Sequence, residues 1–94
     1  MDKHTTLMAR NPRAVHRNLA DGTGAVLLHL DSGAYHGINP TGELIWELLA
    51  TEMTFDELLE QLRQRLEGTP TNLDEEITAF LMDLEHRDLL RFSP

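Results

Sequence analysis

The spacing of apolar residues changes once, at Asn39-Pro40, and that break decides what the chain can become. Before it, short β-leaning segments alternate with turns. Val15–Ala20 partly alternates, with Val15, Arg17 and Leu19 set against His16 and Asn18. Asp21-Gly22-Thr23-Gly24 is a turn, Ala25–Leu30 is mostly apolar, Asp31-Ser32-Gly33 is a second turn, and Ala34–Ile38 follows. Two turns between three short strands predict a small antiparallel meander.

After the break the spacing is helical. Asn39 can cap a helix that opens on Pro40, with Leu44, Ile45, Leu48 and Leu49 recurring and Trp46 beside them, to an end near Thr51. Thr54 and Glu57 form a capping box before the stripe Phe55, Leu58, Leu59, Leu62 and Leu66. Gly68 and Pro70 stop that helix. Asn72-Leu73-Asp74-Glu75 is another capping signature, opening a third helix with core face Leu73, Ile77, Phe80, Leu81 and Leu84 and an end near Asp88. Leu89–Phe92 is an apolar tail able to close the core or add a strand.

Segregated strands and helices predict an α+β fold. Two capped helices across a short break suit a helix-turn-helix, and the three-stranded antiparallel sheet ahead of the three helices would be its wing. Residues 1–12 are polar, lack periodicity and end in Asn11-Pro12, so a flexible lead-in is expected there, with one domain over residues 13–94.

The 94 residues support one modest core and leave little room for a catalytic cleft with its supporting shell. Absence of cysteine removes disulfides, thiolate metal sites and cysteine nucleophiles, and fits a reducing cytoplasmic setting. No apolar run approaches a membrane span. Sixteen acidic residues face eight basic ones, giving a net charge of -8. The third helix carries Asp74, Glu75, Glu76, Asp83, Glu85 and Asp88 against Arg87, the wrong sign for a DNA-recognition helix. No phosphate-binding glycine loop or serine-nucleophile motif is present. His29 and His36 would face each other across a two-residue turn, but two histidines without a third ligand make no zinc site. The expectation is a non-enzyme with no cofactor, no metal and no nucleic-acid partner.

Two surfaces stand out. Ala34–Ile38 has no proline or strong charge to block edge pairing, so it is either an idle short edge or a docking strand. Tyr35 suits a core or a binding face equally, and Gly37 suits either close backbone approach or a bulge. On the third helix, Glu76, Ala79, Asp83 and Arg87 share one flank, where the small Ala79 leaves room for a ligand side chain. Glu76 and Asp83 are placed to meet Lys or Arg of a ligand, and Phe80 to line a pocket floor.

The stretch Leu27-Leu28-His29-Leu30-Asp31-Ser32-Gly33-Ala34-Tyr35-His36-Gly37-Ile38-Asn39-Pro40-Thr41-Gly42-Glu43-Leu44-Ile45-Trp46-Glu47-Leu48-Leu49 resembles the PqqD-like family. So does the later acidic helix start followed by Ala79-Phe80-Leu81, Leu84 and Leu89-Leu90. The resemblance covers roughly residues 14–92. It implies a winged helix-turn-helix that recognises ribosomally made, modified peptides without catalysis. The leader of a precursor peptide would add as a strand to the third strand, in a groove against the third helix, and be presented to a leader peptidase or other modifying enzyme. The implied peptide-binding residues are Ala34, Tyr35, His36, Gly37 and Ile38, with Glu76, Ala79, Phe80, Asp83 and Arg87 facing them. The turn Asp31-Ser32-Gly33-Ala34-Tyr35 looks like that of stand-alone proteins of lasso-peptide clusters. Members from pyrroloquinoline quinone synthesis usually carry a Pro-Glu-Gly-type turn that is missing here; a peptide chaperone of that or another modified-peptide pathway is the alternative. Asp88 stands where many relatives place a glycine.

Overall fold

The computed structural model describes residues 2–66, 68 and 71–93. In chain order the elements are β1 (Leu7–Arg10), β2 (Ala14–Asn18), β3 (Ala25–His29), β4 (Tyr35–Ile38), α1 (Pro40–Leu48), β5 (Met53–Thr54), α2 (Phe55–Arg65), α3 (Leu73–His86) and β6 (Leu90–Ser93). The expected meander is present: β2, β3 and β4 form an antiparallel sheet in that order. The α+β arrangement of a three-stranded sheet followed by helices is therefore the observed one.

The helix starts follow from their caps. Asn39 Oδ1 accepts from the Gly42 amide at 2.8 Å, with Pro40 in the first turn. Thr54 Oγ1 accepts from Glu57 N while Glu57 Oε1 accepts from Thr54 N, closing the capping box of α2. Asn72 holds the cap position of α3, but its side chain makes no capping bond; its amide donates to Glu76 Oε1 instead. α2 ends at Arg65 with extended backbone at Leu66, before the expected stop at Gly68, whose φ is +62; Pro70 lies outside the described residues.

One expectation is corrected. Residues 1–12 read as a loose lead-in, yet Leu7–Arg10 is a strand between β5 and β6, with Met8 fully buried. Its partners, Met53–Thr54 and Leu90–Ser93, lie far along the chain, so no local periodicity announces the pairing. Asn11 is also buried, its Oδ1 accepting from Arg13 N and its Nδ2 donating to the Asp88 carbonyl. Arg10 lies over the Trp46 ring at 5.0 Å and donates to the Trp46 carbonyl near the end of α1.

The core gathers Met8, Leu27, Ile45, Trp46, Phe55, Leu58, Leu62, Ile77, Leu81, Leu84 and Leu90. Leu44, Leu48, Leu59, Leu66 and Phe80, expected inside, are only partly buried against it. Phe80 is displaced toward α1, where Gly42 admits it: a Cβ at Gly42 would stand 3.0 Å from the Phe80 ring. Gly24 is the strictest glycine. Its φ is +131, and a Cβ there would lie 1.9 Å from the Ile38 carbonyl oxygen. Gly24→Ala is therefore expected to destabilise the fold by about 3 kcal/mol or more, read as a lowered denaturation midpoint. A wild-type midpoint would contradict this close approach.

A candidate peptide-binding groove between strand and helix

β4 is an edge strand, paired on one side only. Two bonds reveal which of its groups are free. His29 N donates to Ala34 O at 3.0 Å, and Leu30 N donates to Arg13 O at 2.8 Å. Antiparallel bonding alternates, so β3 directs Ala25, Leu27 and His29 toward β4 and its intervening residues toward β2. With Leu27 opposite His36 and Ala25 opposite Ile38, the inward-bonding residues of β4 are His36 and Ile38. The N–H and C=O groups of Tyr35 and Gly37 face away from the sheet, along an open edge.

The same pleat sorts the side chains. Ile38 is buried, and His36 is half-buried on the face turned toward the helices. Tyr35 lies on the opposite face at 72% exposure, which excludes the core reading. Gly37 is exposed, and a Cβ there would meet nothing within 4 Å, so space around it is open. His29 and His36 do not face each other: the connection is longer than two residues, and His36 stands opposite Leu27.

α3 forms the facing wall, its C-terminal part beside the start of β4. His36 Nε2 stands 3.4 Å from Asp83 Oδ2, which also accepts from Arg87 Nε at 3.0 Å. Burial holds the His36 imidazole below its ordinary value; nearby Arg87 lowers it further, and Asp83 partly opposes both.

Two cavities flank this contact. One, of about 160 Å³, lies between the first turn of α1 and the first half of α3, lined by Asn39, Gly42, Ile45, Glu76, Ile77 and Phe80 among others. The second, of about 170 Å³, is enclosed by His29, Ala34, Tyr35, His36, Arg87 and Leu89. Of the residues singled out in the sequence, Ala34, Tyr35, His36, Phe80, Glu76 and Arg87 line these cavities. Asp83 spans the groove, Ile38 contributes only to the core and the ladder, and exposed Ala79 lines neither cavity. Missed in the sequence were His29, Leu89 and the α1 residues. The helical spacing of Leu73, Glu76, Ile77 and Phe80 marks one wall, but which element faces it is a tertiary fact.

Among the described residues no group of three or more His, Cys, Asp or Glu side chains is placed to hold a metal ion. No described helix is long and apolar enough to cross a membrane.

Residues 24–90 match the PqqD family, described as coenzyme PQQ synthesis protein D. The chain belongs to the PqqD family. Two solved structures share its fold. "TbiB1 in Complex with the TbiA(beta) Leader Peptide" is 24% identical, with a TM-score of 0.73 over 88% of this chain and 94% of that one. "Lasso peptide synthetase B1 complexed with the leader peptide" is 23% identical, with a TM-score of 0.71 over 89% and 96%. No curated protein matches.

The lowered affinity of His36 for a proton carries a sign. A histidine neutral in the folded state but readily protonated once unfolded removes stability as pH falls. Stability is therefore expected to decline below about pH 6.5, its ordinary value, until the folded-state imidazole is itself protonated. His36→Gln should flatten that part of a denaturation series run against pH. An unchanged slope in the variant would show that other groups govern it.

Proposed function

We propose that the protein is a non-catalytic recognition module for the leader segment of a ribosomally made precursor peptide. The observation that carries this reading is the open edge of β4 beside a groove walled by α3. Tyr35 and Gly37 offer two donors and two acceptors to an added strand, and the groove offers cavities to its side chains on the helix-facing side. Membership of the PqqD family, and the shared fold of two structures described as leader-peptide complexes, support the same assignment.

The peptide-binding set would be Ala34–Ile38 through the main chain, with Glu76, Ala79, Phe80, Asp83 and Arg87 opposite. Glu76 is the better partner for a leader cation, because Asp83 Oδ2 already meets both His36 and Arg87. Ile38 would contribute register rather than contact. In this reading the bound precursor is delivered to a leader peptidase of a lasso-peptide pathway, in the cytoplasm where it is made. The family's description favours a second destination, pyrroloquinoline quinone synthesis, but the Asp31-Ser32-Gly33 turn and both structural relatives favour the first. The acidic face of α3 opposes DNA binding.

Proline at an outward-facing N–H tests the mode of binding directly. Tyr35→Pro leaves the β3–β4 bonds of His36 and Ile38 in place, as edge strands allow. It removes one outward donor and puts a ring in the path of an added strand. The expected result is a folded protein that binds a labelled synthetic leader peptide of a lasso-peptide precursor at least roughly tenfold more weakly than the wild type does. Wild-type affinity in the folded variant would reject strand addition at β4. Absence of micromolar or tighter binding by the wild-type protein to any such leader would reject leader recognition.

A further inference from the structure

α3 ends in an unusual way. Leu89 N donates to Leu84 O at 2.9 Å and Asp88 N to Glu85 O at 3.0 Å, the paired bonds of a Schellman motif. The residue after the C-cap in this motif is ordinarily glycine, because its φ is positive. Here it is Asp88, at φ +60, the one non-glycine residue with positive φ among those described. Asp is among the few non-glycine residues that adopt this conformation, and its carboxylate can make bonds that glycine cannot.

What it does is reach across the groove. Asp88 Oδ2 stands 3.0 Å from His29 Nε2, and His29 is buried. The direction of that bond follows from the other ring nitrogen. His29 Nδ1 accepts from the Asp31 and Ser32 amides at 3.2 and 3.4 Å, so Nε2 carries the hydrogen and donates to Asp88. Asn11 Nδ2 also reaches Asp88, donating to its carbonyl at 2.7 Å and lying 3.3 Å from Oδ2. One aspartate thus joins the end of α3, the approach to β2, and, through His29, the turn that begins β4.

The cavity at this end of the groove is built from those two halves: His29, Ala34, Tyr35 and His36 from the hairpin, Arg87 and Leu89 from the helix end. A directed bond from the buried His29 ring restrains their separation as well as packing does. We propose that Asp88 is a positioning residue for peptide binding: through His29 it fixes the distance between the β3–β4 hairpin and the end of α3, and so the shape of the cavity there. This rests on the leader-recognition reading above and adds a residue that need not touch the peptide.

The test uses the full chain and a labelled synthetic leader peptide of a lasso-peptide precursor that the wild-type chain binds. Asp88→Gly keeps the helix end, since glycine suits its φ, but removes the carboxylate. Asp88→Asn keeps an oxygen able to accept from His29. The expected result is a cooperative melt for both. Leader affinity should fall roughly tenfold in Asp88→Gly and stay within about threefold of wild type in Asp88→Asn. Rescue by asparagine separates positioning from simple stability. If Asp88→Gly does not fold, His29→Leu, which has no donor for Asp88, reads the same contact from the other side, with the same loss expected. Wild-type affinity in a folded Asp88→Gly, or unfolding of both variants, would overturn the inference and leave the leader reading standing. Failure of the wild-type chain itself to bind any such leader would refute that reading, and this inference with it.

Discussion

Burial of the α3 stripe is the constraint on which the rest of the structure depends. Leu73, Ile77, Leu81 and Leu84 are all buried in the common core. At about 1.5–3 kcal/mol for each large apolar side chain, their burial contributes on the order of 6–12 kcal/mol, comparable with the net stability of a whole domain. It fixes α3 alongside β4 without pairing with it, because a helix offers no main-chain groups to a sheet edge. The third strand therefore stays open while gaining a wall. β1, which supplies further strand pairing, lies in the other sheet between β5 and β6 and leaves that edge alone.

Much of this was legible in the sequence, because local chemistry determines it. The two turns, the Asn39-Pro40 entry and the Thr54–Glu57 box each act over a few residues, and each is found where expected. What escaped depends on distance along the chain. Met8 is buried by pairing with strands more than forty residues away, so its polar neighbours disguised it as lead-in. For His29 the sequence suggested only a partner across the turn, because nothing nearby indicates that Asp88 will lie against it. The aspartate at position 88, where the family resemblance leads one to expect glycine, was visible, but its meaning needed the φ angle and the opposing ring together. For Tyr35 the pleat phase decided the face, and that phase is set by pairing with Leu28 rather than by its own surroundings.

The groove offers two kinds of contact to an added strand. In the proposed reading, the edge of β4 would bond any extended backbone with little sequence preference, and the cavities at its ends would select side chains. Their linings differ: the one near α1 includes Asn39, Thr41 and Glu76 among apolar residues, and the one at the hairpin end includes Tyr35, His36 and Arg87. Two histidine–aspartate contacts, His36 with Asp83 and His29 with Asp88, link the β3–β4 hairpin to α3 and the residue that follows it. A preformed site of this kind spares a binding peptide the cost of ordering the protein as well as itself.

Amide hydrogen exchange, resolved by residue with and without the precursor's leader peptide, tests the central claim most directly. Strand addition to β4 predicts that the Tyr35 and Gly37 amides exchange quickly in the free protein and slow markedly in the complex. The His36 and Ile38 amides, already bonded to β3, should be protected in both states. Unchanged exchange at Tyr35 and Gly37 on saturation with the leader, or new protection confined to β2 at the opposite edge, would contradict it.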